Sequence, residues 1–498
     1  MNMPEKKATR GSPQKLNNQF VSSCSLSSSK LLIHALAIFV LFLVVWQIQK
    51  TSSSASPWAR WDKILNNSCL SPSHDTQEAM ADRLRLAVTF LPLKDLRYAG
   101  EPMKGHTWFM SSLYDMQEQG EVQYQQHPVE ASGGRLLCLR GRDRHDGSWN
   151  SYALAWPDAL PQNATLKAGI TFVSYNHYDY HNIWHGLSAV MSFVAWHVKS
   201  QCAAPERWIL FHWGELRTTM APWVSTLLEA TFGGAVKIED FGSGGDDDDA
   251  PVCFEKAVVM RHNEGGMSTE KMMQVYDLMR CRARMYCQVG GRDEGIKVGV
   301  TMLMRDGTRS FRNASAVVGI FEEECRRVPG CHLMVAYPHN LTFCEQVRTK
   351  RKACDILDQY IYLTCALQVK LMRGTDVVIS AHGAQLSNMI LMDRNSSVME
   401  LFPKGWKEMA GVGQYVHHWL ASWSGMKHEG AWRDPVGDPC PFPKDEARCM
   451  SLFKDAKVGH NHTYFSQWGS NVIKDVITRK ALQDPSSFNP AAGLCGCH

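Results

Sequence analysis

Asp376-Val-Val-Ile-Ser-Ala-His-Gly-Ala-Gln-Leu-Ser-Asn388 reads as a strand, a sharp turn and the start of a helix. Residues 376–380 are a short, mostly apolar run rich in β-branched side chains, and His382-Gly383-Ala384 are small or polar where the chain must turn at a strand's carboxyl end. Residues 386–392 then resume as a helix. A buried parallel strand that feeds a Gly-containing turn and a helix N-terminus gathers backbone N–H groups and a helix dipole at one point. Such a corner suits an anion.

The continuation, Ser396-Ser-Val-Met-Glu-Leu-Phe-Pro403, is a second buried strand that carries Glu400 and ends at Pro403. Together the two stretches resemble the signature of glycosyltransferase family 61, a His-Gly-Ala-x-Leu-(Thr/Ser)-Asn turn followed by a strand closing on Val-x-Glu-x-x-Pro. The resemblance covers roughly residues 165–480 and is strongest in the C-terminal half. It implies a Golgi enzyme of the plant type, related to β-1,2-xylosyltransferase and to xylan arabinosyl- and xylosyltransferases.

Working outward, the chain alternates strand and helix in two blocks. Strands are expected over 167–175, 208–213 and 257–260, and helices over 183–199, 222–232 and 270–287. After Gly290-Gly-Arg-Asp-Glu-Gly295 the alternation restarts with a strand over 297–304, a helix over 315–326 and a strand over 332–337, then the two signature units. The expected fold class is α/β, two Rossmann-like domains facing a cleft. The resemblance implies the same arrangement, called GT-B. The expected order is a tail (1–30), a transmembrane anchor (31–48), a stem (49–90), an acceptor-side α/β domain (91–292) and a nucleotide-sugar-binding α/β domain (293–498).

The anchor rests on residues 31–48, apolar apart from His34 and Gln47, with Lys6, Lys7, Arg10, Lys15 and Lys30 on one side. A cleaved signal peptide fits less well, because the apolar run starts late and Gln47-Ile-Gln-Lys50 lacks small residues. Sequons at Asn66, Asn163, Asn313, Asn340, Asn395 and Asn461 all follow the anchor. So do 15 of the 16 cysteines, whose spacings, such as Cys281/Cys287 and Cys325/Cys331, match no tetrahedral metal motif and point to disulfides in an oxidising lumen. The net charge of +4 over 498 residues gives no case for nucleic acid.

Sugar transfer from a nucleoside diphosphate needs a base for the acceptor hydroxyl and positive charge for the leaving diphosphate. Arg305 and Arg309, in Leu303-Met-Arg-Asp-Gly-Thr-Arg-Ser-Phe-Arg-Asn313, follow a strand end and offer paired guanidinium donors, unless that loop is a solvated basic one. The resemblance maps a donor-contacting element onto Arg305, Arg309 and Asn313. His382, Gly383, Ala384, Gln385 and Asn388 complete the expected nucleotide-sugar contacts. Glu400 either accepts from ribose hydroxyls or serves as a structural carboxylate. For the base, Tyr178-Asp-Tyr-His-Asn-Ile-Trp-His-Gly-Leu-Ser188 resembles the family's Asn-x-x-His helix start, with Asn182 and His185 on the matching positions. Many members carry an Asp a few residues after that His, where this chain has Gly186, Leu187, Ser188 and Ala189, so Asp179 and Glu215 join His185 as candidates. Among the chain's 16 Trp, those at 406, 419, 423 and 432 offer faces suited to sugars or core packing, and the His417-His418 pair has no assigned role.

No Asp-x-Asp pair stands on a placed turn; the only match is the acidic run 246–249, which reads as a solvated loop. The expected site is therefore metal-free, with no cofactor. The expected function is inverting transfer of a sugar, from a nucleotide sugar of the UDP type, to a polysaccharide or glycoprotein acceptor at the Golgi membrane. A catalytically inactive, membrane-tethered lectin-like scaffold is the alternative, favoured by the missing Asp. Residues 347–368 are bracketed by Gln-Val repeats, and two origins fit them: a retained in-frame intron or a surface insertion. On the first, Cys354 and Cys365 are foreign to the disulfide set. Protease added to intact microsomes should remove only the first 30 or so residues; loss of the bulk of the chain would refute the orientation.

Overall fold

The computed structural model describes residues 74–94, 119–176, 178–241, 250–261, 267–290, 295–338, 343, 368–482 and 493–497. The expected tail and anchor, Asn66, Asn340, the acidic run, the break at 291–294, and 347–367 with Cys354 and Cys365 lie outside them. Among the described residues no helix is long and apolar enough to cross a membrane. The chain divides into two compact units, 1–79 and 80–498, and the second is a mixed α/β structure that holds both sheets.

The first sheet contains β1 (Leu91–Pro92), β2 (Gln125–His127), β3 (Leu136–Arg140), β4 (Ser151–Ala155), β5 (Thr165–Asn176), β6 (Arg207–His212), β7 (Glu215–Arg217) and β8 (Val252–Arg261). Their order is β1-β4-β3-β8-β5-β6-β7, with β2 also against β8. Only β5 with β6 and β5 with β8 pair in parallel; the outer strands are antiparallel. Three helices accompany this sheet: α1 (Ile183–Lys199), α2 (Pro222–Phe232) and α3 (Thr269–Tyr286). Each starts on a readable signal. Asn182 caps α1 by accepting from Trp184 and His185 N–H, Pro222 opens α2, and Ser268 caps α3 by accepting from Lys271 N–H. Residues 186–197 of α1 are all buried, so this helix runs through the core and not along a surface.

The second sheet is wholly parallel: β9 (Val298–Leu303), β10 (Cys331–Ala336), β11 (Val377–Ala381), β12 (Ser397–Phe402) and β13 (Lys427–Arg433), in the order β10-β9-β11-β12-β13. Every residue of β11 and β12 is buried, as expected of central strands in such a sheet. The longer helices here are α4 (Ala314–Arg326), α5 (Val416–Trp423), α6 (Glu446–Asp455) and α7 (His462–Ala481). The expected helix over 386–392 is corrected to a 3-10 helix, Ala384–Leu391. Leu386 N–H donates to Gly383 O and Met392 N–H to Met389 O, closures three residues long, while the Asn388 amide donates back to Gln385 O at 2.9 Å.

One apolar cluster runs from the first sheet's helices into the second half. It joins Leu187 and Val190 of α1, Val224 and Leu227 of α2 and Met279 of α3 to Leu386, Met389 and Ile390 of the 3-10 helix. Polar bonds fix the same seam. Arg280 donates through Nη1 to Asp277 (2.6 Å), through Nε to Ile390 O (3.0 Å) and through Nη2 to Ser424 O (3.0 Å), and Arg394 also pairs with Asp277. Covalent ties follow: Cys202–Cys495 and Cys281–Cys497 pin the C-terminal segment to the α1 end and to α3. Cys325–Cys331 pairs across its short spacing, whereas Cys281 bonds far along the chain and Cys287 is also in a disulfide. The described sequon asparagines, Asn163, Asn313, Asn395 and Asn461, are all exposed.

Removing Arg280 leaves Asp277 buried with one partner fewer and two main-chain carbonyls unmet. Arg280→Met should lower unfolding stability by about 3 kcal/mol in a denaturant titration. An unchanged midpoint would mean the seam does not depend on this guanidinium.

Candidate functional site

A cleft of about 900 Å³ opens where the carboxyl ends of the second sheet face α1. On the second-sheet side it is lined by Arg305, Arg309, His382, Gly383, Ala384 and Gln385; on the α1 side by Tyr178, Asn182, Trp184 and His185. Trp406, His417, Trp419, Trp423 and Lys454 complete much of the rest. Eight sequence-predicted residues, the six on the second-sheet side plus Asn182 and His185, are thus brought together.

The arginines are held for a ligand. Arg305 Nη1 donates to Gln385 Oε1 at 2.8 Å, and the Gln385 amide is itself fixed by Ala381 O (2.8 Å) and Ser380 Oγ (3.1 Å). Arg309 lies over the Trp406 ring, 5.9 Å from its centroid, with a left-handed backbone (φ 58°) that a non-glycine residue adopts at some cost. Burial lowers the pKa of both guanidiniums, and in Arg309, with Arg305's charge added, it falls to about 10. Among the described residues that line the cleft there is no carboxylate, and Asp455, outside that lining, is the smallest of the influences on Arg309. Two partly desolvated cations with little counter-charge make an anion site.

Behind this wall sits Glu400, fully buried on β12. Its Oε1 accepts from His382 Nδ1 and His417 Nδ1, each at 2.7 Å, and its Oε2 faces His428 Nε2 at 3.0 Å. Burial alone would raise its pKa, but the three imidazoles hold it well below the ordinary carboxylate range. Glu400 does not line the cleft, so the structural reading of this carboxylate is the one its contacts support. The Nδ1 and Oε1 atoms are spaced for direct hydrogen bonds; ligands about 2.1 Å from a tetrahedral ion would stand about 3.4 Å apart. A second cluster, His197 with Cys202 and Cys495, is likewise no thiolate site, because both sulfurs are in a disulfide.

The remaining expected residues lie elsewhere. Asp179 and Glu215 are outside the cleft lining; Glu215 pairs with Arg217 at 2.6 Å, and Asp179 lies 3.7 Å from it while accepting from His181 N–H. Asn313 caps α4 through a bond from Ala316 N–H. Asn388 is at the seam, where its Oδ1 accepts from Trp223 Nε1 at 3.0 Å. His185 keeps its place on the cleft wall, stacked on Tyr178 with ring centroids 4.2 Å apart. The structure adds His417, Trp184 and Lys454 to the site. Trp419 and Trp423, named in the sequence only as aromatic faces, now share a wall.

No protein-family model matches the chain, and no curated protein matches it either.

Gly383 leaves the arginine its space. A Cβ there would stand 2.0 Å from Arg305 Nη1 and 2.5 Å from Gln385 Oε1. Gly383→Ala should therefore displace the guanidinium and weaken binding of an anion such as pyrophosphate by about tenfold, the equivalent of one charge-assisted hydrogen bond. Equal affinity, measured by calorimetry on a variant with unchanged melting, would take Arg305 out of the anion site.

Proposed function

We propose that the chain is a glycosyltransferase of the family 61 kind, with two Rossmann-like halves in the GT-B arrangement, that moves a sugar from a UDP-type nucleotide sugar to a glycan or glycoprotein acceptor with inversion. The observation that carries this is the meeting of Arg305 and Arg309 with the His382–Gln385 turn on one wall, opposite His185 on the other wall of the same cleft. A diphosphate sits against the arginines; the acceptor approaches from the α1 side. His185 takes the proton of the acceptor hydroxyl, the hydroxyl oxygen bonds to the anomeric carbon, and the bond from that carbon to the diphosphate oxygen breaks with its electron pair left on the diphosphate. Two guanidiniums without a carboxylate in the lining offset that charge, so the step needs no divalent metal. Trp184, Trp419 and Trp423 offer ring faces to sugar C–H groups or to a base. The proposed setting is the Golgi membrane, with a single uncleaved anchor and the catalytic region lumenal.

One observation favours a second reading. Asp179 and Glu215, the acidic residues expected as alternatives to His185, lie outside the cleft lining at Arg217, as a lectin-like binding protein would permit.

Binding of nucleoside diphosphates, set beside product formation from a panel of UDP-sugars, separates the two. The transferase reading expects both, with turnover unaffected by EDTA. Arg305→Ala should lower turnover about a hundredfold, the ~3 kcal/mol typical of one oxyanion donor, with the fold intact. Diphosphate binding without any transfer would leave the binding-protein reading standing. Activity abolished by chelation and restored by manganese would mean that the arginines do not carry the diphosphate's charge alone.

A further inference from the structure

The arrangement around Glu400 poses a charge problem that the proposed reaction has to meet. Its carboxylate lies directly behind His382, on the wall of the proposed diphosphate site, and the imidazoles around it hold its pKa well below the ordinary carboxylate range. A buried negative charge there opposes an incoming anion and cancels part of what Arg305 and Arg309 supply. Three imidazoles surround it: His382 at the end of β11, His417 on α5 and His428 on β13. With Nδ1 of His382 donating to Glu400, its other nitrogen, Nε2, is the one left for the cleft. The ring is held flat on Phe402, centroids 4.5 Å apart. His417 is 1% exposed and also lines the cleft, and its Nε2 has no hydrogen-bond partner among the described residues. An unmet polar nitrogen at that depth is costly, on the order of 1–3 kcal/mol, and marks a place for a ligand atom.

We infer that the His382–Glu400–His417 set takes up a proton when a nucleoside diphosphate binds, and that His382 then donates a hydrogen bond from Nε2 to the leaving phosphate oxygen. This rests on the diphosphate site of the reading above. The proton comes from solvent and resides on the imidazole, so the carboxylate behind it is neutralised and the ligand meets the full charge of both arginines. As the bond to the anomeric carbon breaks, the electron pair stays on the diphosphate oxygen, which accepts from the imidazolium. When the diphosphate departs, the proton returns to solvent. His382 is thereby a catalytic residue, and Glu400 and His417 are positioning residues.

The set is arranged for uptake and not for release. Burial keeps His382 below the ordinary imidazole range, and His417 and Arg309 push the same way, against the opposing pull of Glu400. The other charged or titratable groups around the set are Arg305 from the loop after β9, His428 on β13, Lys454 from α6, and, on the opposite wall of the cleft, Tyr178 and His185, while Asp455 of α6 acts on Arg309. The ring is therefore neutral near neutral pH until an anion arrives and raises its pKa.

Calorimetric titration of UDP into the full-length chain in detergent, at about pH 7.5 in two buffers of different ionisation enthalpy, reads the proton directly. The expected result is uptake of about one proton per UDP, cut to less than half in His382→Asn and in Glu400→Gln, with UDP affinity lowered about tenfold in the first. Binding of UDP with the same enthalpy in both buffers would overturn the inference and leave the diphosphate site intact. So would full uptake in a folded His382→Asn. Absence of any UDP binding to the wild-type chain would overturn this inference and the transferase reading together. The wild-type comparison stands whether or not a variant folds.

Discussion

Asp277 is the group on which the geometry of the cleft depends. It is a carboxylate 3% exposed, on α3, that serves Arg280 of its own helix and Arg394 from the second half. Through Arg280 it also fixes the carbonyls of Ile390 and Ser424, so the 3-10 helix and the end of α5 are positioned by a helix of the other sheet. Taking these charges out of water costs several kcal/mol per ion, and only near-complete hydrogen bonding brings the net effect close to neutral. What the network supplies is register. The apolar cluster at the seam is non-directional and would tolerate sliding, whereas a planar guanidinium bound at three points does not.

That register sets the wall-to-wall distance on which any chemistry in the cleft relies. His185 comes from α1, and the arginines come from the loop after β9, some 120 residues later in the chain. Their separation is governed by how α1, α2 and the 3-10 helix share one core, with the Trp223–Asn388 hydrogen bond joining α2 to the 3-10 helix. The disulfides Cys202–Cys495 and Cys281–Cys497 tie the last residues back onto the first half. Preorganised donors cost no rearrangement when charge develops, which is the condition that the proposed metal-free step requires.

Much of this was legible in the sequence, and the failures have physical causes. The buried runs of β9, β11 and β12, and helices opened by Asn182, Pro222 or Asn313, announce themselves because burial on both faces and capping leave local marks. β13, Lys-His-Glu-Gly-Ala-Trp-Arg, does not: it is a sheet edge, only partly buried, and its pairing is set by β12 and not by its own composition. The three-residue β7 is too short to show a period, yet it pairs Glu215 with Arg217, a partner that the sequence does not show for this candidate base. Asn388 looked like a ligand contact because its partner, Trp223, lies 165 residues away. His417 was seen but had no role, since the signal that gives it one is a shared oxygen on Glu400 and not a spacing.

Two of the expected sequons show how one residue can answer to two demands. Asn313 and Asn461 each cap a helix, and in both the cap uses Oδ1, which accepts from Ala316 N–H and Tyr464 N–H at 3.0 Å. A glycan would attach to the amide nitrogen, so capping and glycosylation need not compete. The usual Asn→Gln change to erase a sequon is for this reason a poor control here. The longer side chain loses the cap, at about 1 kcal/mol, whether or not a sugar was present. At Asn461 the alternative is to change the third sequon position, Thr463→Ala, which leaves the Asn461 cap in place. At Asn313 the third position, Ser315, hydrogen-bonds the same Oδ1 at 3.0 Å, so even that substitution touches the cap, although the bond from Ala316 N–H remains. At Asn461, a stability loss seen with Asn→Gln but not with Thr463→Ala would thus belong to the helix start, and one seen with both would belong to the glycan.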